Sequence, residues 1–109
     1  IPKAIFCNML YWDIFQVNSA TENLIGVKFR GSLRKYAIEN DFVLLAENAQ
    51  DEENAVRFAL IENTYEEELL EKITAFIRTI ISDGEVKQVL NNVSNPILSK
   101  LKNNDISRY

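Results

Sequence analysis

A chain of 109 residues, with 12 lysines and arginines against 16 aspartates and glutamates and a formal net charge of −4, is expected to be one domain that buries a core without metal or disulfide staples. Its acidic balance argues against nucleic acid and anionic membrane as partners, so any bound anion must be held by a local arrangement of groups. The absence of histidine excludes Ser-His-Asp triads and histidine-containing zinc sites. No apolar run approaches the roughly 18 residues of a membrane span and no signal-peptide pattern is present, so the chain reads as soluble and cytoplasmic.

Residues 3–17 are mostly apolar and rich in aromatic and β-branched types, too long a stretch for one ordinary strand. The first core strand is expected at residues 13–19. Residues 1–12 are then an N-terminal extension, with Ala4 to Trp12 packing as an added strand or a short helix. Its opening Ile1-Pro2 fits either a trimmed start or a domain cut from a longer chain. Cys7, the single cysteine, lies beside Ile5 and Phe6 with no cation nearby in sequence, the setting of a buried, inert thiol in a reducing compartment.

The polar run Ser19-Ala20-Thr21-Glu22-Asn23 reads as a loop. Phe29, Leu33, Tyr36 and Ala37 recur at helical spacing, predicting a helix that ends near Asn40 and Asp41. Residues 42–48 and 55–61 read as strands, the second alternating Val56, Phe58 and Leu60 against Arg57, Ala59 and Ile61. The polar turn between them has no glycine, but Asn54 can supply a positive φ.

Thr64-Tyr65-Glu66-Glu67 fits a capping box, with Thr64 as the cap and Glu67 reaching back. Leu69, Leu70, Ile73, Phe76, Ile77, Ile80 and Ile81 trace one apolar helical face, and Ser82-Asp83-Gly84 supplies the stop. Residues 85–93, with Val86, Val89 and Val93, form a last strand. Asn95-Pro96 then opens a short terminal helix carrying Ile97, Leu98 and Leu101, within a C-terminal segment of residues 94–109. The order strand, helix, strand, strand, helix, strand predicts an α+β fold. It is the split pattern of a ferredoxin-like α/β sandwich, β-α-β-β-α-β, with an antiparallel sheet, both helices on one face and an extension at each end of residues 13–93.

The acidic runs Asp51-Glu52-Glu53 and Glu66-Glu67-Glu68 read as a solvated turn and a favourable helix start, neither with metal-ligand spacing. Phe6, Tyr11, Trp12 and Phe15 read mostly as core. A homodimer would form through the open sheet face of a two-layer sandwich or through the N-terminal extension.

Gly26-Val27-Lys28-Phe29-Arg30 leads directly into the first amphipathic helix. A glycine lets successive amides converge on one oxyanion, and an arginine in the first helical turn adds a planar charged fork, so phosphate or carboxylate suits the cradle. Together, Leu24-Ile25-Gly26-Val27-Lys28-Phe29-Arg30 resembles the signature loop of the acylphosphatase family, Val-Gln-Gly-Val-x-Phe-Arg. The likeness continues in Tyr36-Ala37, in Val43 to Asn48 as a second strand ending in the family's functional asparagine, and in Asp51 at the hairpin turn.

That resemblance implies a small anionic substrate, an acyl phosphate, hydrolysed without cofactor or metal. Arg30 would bind the phosphate with backbone amides of Leu24, Ile25, Gly26, Val27, Lys28 and Phe29, and Asn48 would orient the attacking water. Such chemistry asks mainly for positioning and charge stabilisation. Two residues depart from the pattern. Ile25 takes the glutamine position, and Glu22 stands where the family often has another glycine, so its carboxylate would repel phosphate or pair with Arg30. The competing expectation is a non-catalytic anion-binding or protein-interaction domain on the same fold.

Overall fold

The computed structural model describes residues 11–25, 28–49 and 52–94. Its elements are β1 (Tyr11–Asn18), α1 (Phe29–Glu39), β2 (Leu44–Asn48), β3 (Ala55–Ile61), α2 (Glu67–Ile80) and β4 (Glu85–Ser94). The four strands form one antiparallel sheet in the order β2-β3-β1-β4. β1 and β2, joined through α1, therefore flank β3, while β3 and β4, joined through α2, flank β1. This α+β arrangement is compatible with a ferredoxin-like fold.

Period-two alternation decides what each sheet face carries. Phe15 and Val17 of β1, Leu44 and Ala46 of β2, and Val56, Phe58 and Leu60 of β3 share a core with Phe29, Leu33 and Ala37 of α1 and with Ile73 and Ile77 of α2. Both helices thus cover the same face. Phe15 stacks on Phe58 with ring centroids 5.2 Å apart, and Tyr36 stacks on Phe76 at 4.2 Å, tying α1 to α2. Such aromatic pairs add about 0.5–1.5 kcal/mol each beyond the area they bury.

On the other face Trp12, Ile14, Ala59 and Val93 form a second apolar cluster. Beside it Arg57, fully buried, donates from Nε to Gln16 Oε1 at 2.8 Å, as a buried charge requires. These side chains are buried within the single chain.

Several boundaries differ from the sequence reading. β1 already includes Tyr11 and Trp12, which pair with Ser94 and Val93 and so belong to the strand rather than to an extension. β2 starts later than residue 42, at Leu44, after a turn in which Asp41 takes φ 58°. Thr64 does not cap α2: its amide and hydroxyl both bond Ile61 O, at 3.2 and 2.7 Å, in the turn that leaves β3. The helix instead starts at Glu67 behind an extended Glu66 with no side-chain cap. Gly84 matters through close approach, since a Cβ there would stand 2.9 Å from Ile77 Cγ2 and 3.1 Å from Ile81 O.

Cys7 and the rest of residues 1–10, Gly26, Val27, Asp51 and the expected terminal helix at residues 95–101 lie outside the described residues. No described helix is long and apolar enough to cross a membrane.

Candidate anion-binding site

β1 and β2 run toward the same end of the sheet, and β3 and β4 start there. That end gathers the loop from β1 to α1, the start of α1, the β2–β3 turn and the α2–β4 turn. Asn48, Val56, Val17 and Val86 form one register row close to it, so the topology brings Asn48 to the end where Arg30 begins its helix.

Apolar anchors and polar clasps hold the β1–α1 loop. Leu24 and Phe29 are each 1 % exposed and Ile25 packs on the same core, fixing the chain on both sides of Gly26 and Val27. Asn54, at φ 51° as its place in the turn predicts, accepts the Leu24 amide at 2.6 Å and donates to Ser19 O at 3.0 Å and Glu22 O at 2.7 Å. Asp83 accepts the Ser19 hydroxyl at 2.6 Å and the Ala20 and Thr21 amides at 3.0 and 3.2 Å. The Ser19 hydroxyl above all, helped by the Ala20 and Thr21 hydrogen bonds, holds the Asp83 carboxyl below the usual aspartate range against an opposing desolvation. Glu22 accepts the Ser82 amide at 3.1 Å. The expectation that Glu22 pairs with Arg30 therefore fails, because this carboxylate is engaged by the α2–β4 turn.

α1 begins behind Lys28, which is exposed and left-handed at φ 62° and ψ 21°, with no side-chain cap and no acidic residue in the first turn. The unpaired amides and positive dipole end of a helix favour an anion; here Lys28 and Arg30 add to that field and the Glu47 carboxylate beside Arg30 opposes it. Arg30 Nη1 donates to Glu47 Oε2 at 3.3 Å, and Arg34 Nη2 donates to Glu47 Oε1, also at 3.3 Å. Arg34 Nη2 also donates to Ala46 O. The three charged side chains are 39–45 % exposed, where each ion pair is worth about 0–1 kcal/mol.

Next along β2, Asn48 Oδ1 is shielded from solvent and accepts no hydrogen bond among the described residues. Leaving such an atom unpaired costs roughly 1–3 kcal/mol. Arg30 is thus joined to Glu47, the sequence neighbour of Asn48, and not to Asn48 itself. Of the remaining loop candidates, the Leu24 amide already donates to Asn54 Oδ1 and the Ile25 amide to Asn23 Oδ1 at 3.0 Å, so these two amides are engaged within the chain, while Phe29 is a core anchor and Lys28 holds the turn into the helix.

Glu47, Arg34, Asn54 and Asp83 are participants that the sequence reading did not assign to the site. Arg34 follows Arg30 at i+4, the spacing of helix neighbours, and Glu47 adjoins Asn48. Among the described residues no group of three or more His, Cys, Asp or Glu side chains is placed to hold a metal ion. At the far end of β1 the Tyr65 hydroxyl donates to Asp13. Burial, then that carboxylate, pushes the phenol above its usual range and keeps it protonated.

Comparison of the chain with family models, with curated proteins and with solved structures found no significant match.

Proposed function

We propose that this chain is a ferredoxin-like α/β sandwich that hydrolyses acyl phosphates in the manner of acylphosphatases, with Arg30 as phosphate ligand and Asn48 as water-orienting residue. One observation carries the reading. The acid-free, uncapped start of α1 bears Arg30 at the sheet end where Asn48 Oδ1 lies shielded without a partner among the described residues. The Arg30 fork and the first amides of α1 hold the phosphoryl oxygens. Asn48 Oδ1 accepts a hydrogen bond from a water and aims its oxygen at phosphorus, opposite the leaving carboxylate. The water oxygen bonds to phosphorus as the phosphorus–acyl oxygen bond breaks, giving a carboxylate and inorganic phosphate.

Hydrolysis of benzoyl phosphate by the native chain, Arg30→Ala and Asn48→Ala tests this directly. Turnover should fall on the order of a hundredfold in each variant, the usual effect of removing one group that stabilises the transition state. A second reading, a non-catalytic anion-binding domain, draws on the Glu47 carboxylate lying across Arg30. Phosphate binding without turnover in the native chain would favour it.

A further inference from the structure

Building on the reading of Arg30 as an oxyanion ligand, we propose that Glu47 is an internal competitor at that site. Its carboxylate occupies Arg30 and Arg34 together until a phosphate-type dianion replaces it, and Arg34 is the second arginine the dianion takes up. The convergence itself is the first ground. Two arginines one turn apart on α1 each reach a different oxygen of one carboxylate. Guanidinium forks accept carboxylate and phosphate oxygens in the same way, so Glu47 stands where two oxygens of a phosphoryl group would fit. A phosphate dianion brings twice the charge and a further oxygen for the helix amides.

Weakness of the internal contact is the second ground. Both contacts measure 3.3 Å, longer than the ~2.7–2.9 Å of a strong charge-assisted bond, and all three side chains reach solvent. Glu47 also lies on an edge strand, with its side chain 44 % exposed. Arg34 stays by β2 when Glu47 leaves, because it also donates to Ala46 O. The chain's net charge of −4 gives no general attraction for anions, so exchange at this carboxylate would confine phosphate binding to one place.

A purely structural clasp between α1 and β2 makes a different prediction: loss of Glu47 would lower stability and leave anion affinity unchanged. Calorimetric titration with inorganic phosphate separates the two, using the native chain, Glu47→Gln, Arg30→Ala and Arg34→Ala. Glu39→Gln, an exposed carboxylate on the same helix, controls for the change in net charge. Glu47→Gln should bind phosphate about three- to tenfold more tightly, the scale of releasing two exposed ion pairs. Glu39→Gln should change little, and adding Arg34→Ala to Glu47→Gln should reverse the gain. Glu47→Asp keeps the charge with a shorter reach and should fall between native and Glu47→Gln.

If the native chain binds phosphate through Arg30 but Glu47→Gln leaves the affinity unchanged, the competitor role is overturned and the site stands. An equal gain in Glu39→Gln reduces the effect to net charge and also overturns it. No phosphate binding in either the native chain or Glu47→Gln overturns the reading of Arg30 itself.

Discussion

At the start of α2 the positive end of the helix meets Glu67 and Glu68, and Arg78 sits in the last turn. α1 starts behind a left-handed Lys28, with Arg30 in its first turn and no acid there. Charges matched to the dipole contribute about 0.3–1 kcal/mol each, and mismatched ones cost as much. α2 therefore uses its start to stabilise itself. α1 forgoes that gain, and its place in the fold rests on Phe29, Leu33 and Ala37 beneath it. The contrast teaches that a helix start without matching charges can be held by its apolar face and by clasps on the preceding loop.

The strongest way to break the contrast is through the core. Ile77, fully buried under α2, should cost about 2–5 kcal/mol when cut to alanine, read as a lowered urea midpoint, while the folded fraction keeps its phosphate affinity. Next comes the clasp. Asn54→Ala removes three hydrogen bonds to the loop and should cost about 1–3 kcal/mol while weakening phosphate binding. Asn54→Gly keeps the left-handed backbone without those bonds, so the difference in urea stability between the two variants measures the strain at φ 51°, about 1 kcal/mol.

Lys28→Asp sharpens the comparison by making α1 start as α2 does. An aspartate tolerates the left-handed conformation and complements the dipole, so stability should rise by about 0.5 kcal/mol while phosphate affinity falls. The smallest effect concerns Asp83, whose carboxyl is held below the usual range. The folded chain then binds that proton less readily than the unfolded one. Its stabilisation is fully present above the ordinary aspartate pKa of about 3.9 and is lost as pH falls through the lower folded value. Acid unfolding of Asp83→Asn should show the stability gap to native, present at neutral pH, closing below about pH 4.

Where local chemistry decides the structure, the sequence was readable. β3 spans Ala55–Ile61 as its alternation implies, and Asn54 takes the positive φ that a glycine-free turn demands. Where partners decide, it was not. Residues 3–17 carry no glycine or proline to mark a boundary, so only pairing with β4 shows that Tyr11 and Trp12 belong to the strand. The Thr64 capping box failed because a tight turn claimed the hydroxyl first. Arg57 reads as one side of an alternation, but its complete burial depends on what both sheet faces carry. For the site, Arg30 and Asn48 come to one end of the sheet as their places in the element order imply. The carboxylate that meets Arg30 is nevertheless Glu47 rather than Glu22, a matter of which strand edge lies beside α1.

The most direct test of the site is an amide chemical-shift titration of the native chain with inorganic phosphate, followed residue by residue. Shifts concentrated at Leu24, Ile25, Lys28 to Gly31 and Asn48, and absent at the start of α2 and around Tyr65, are the predicted result. Shifts centred on α2, scattered over the surface or missing altogether would contradict an oxyanion site at the start of α1.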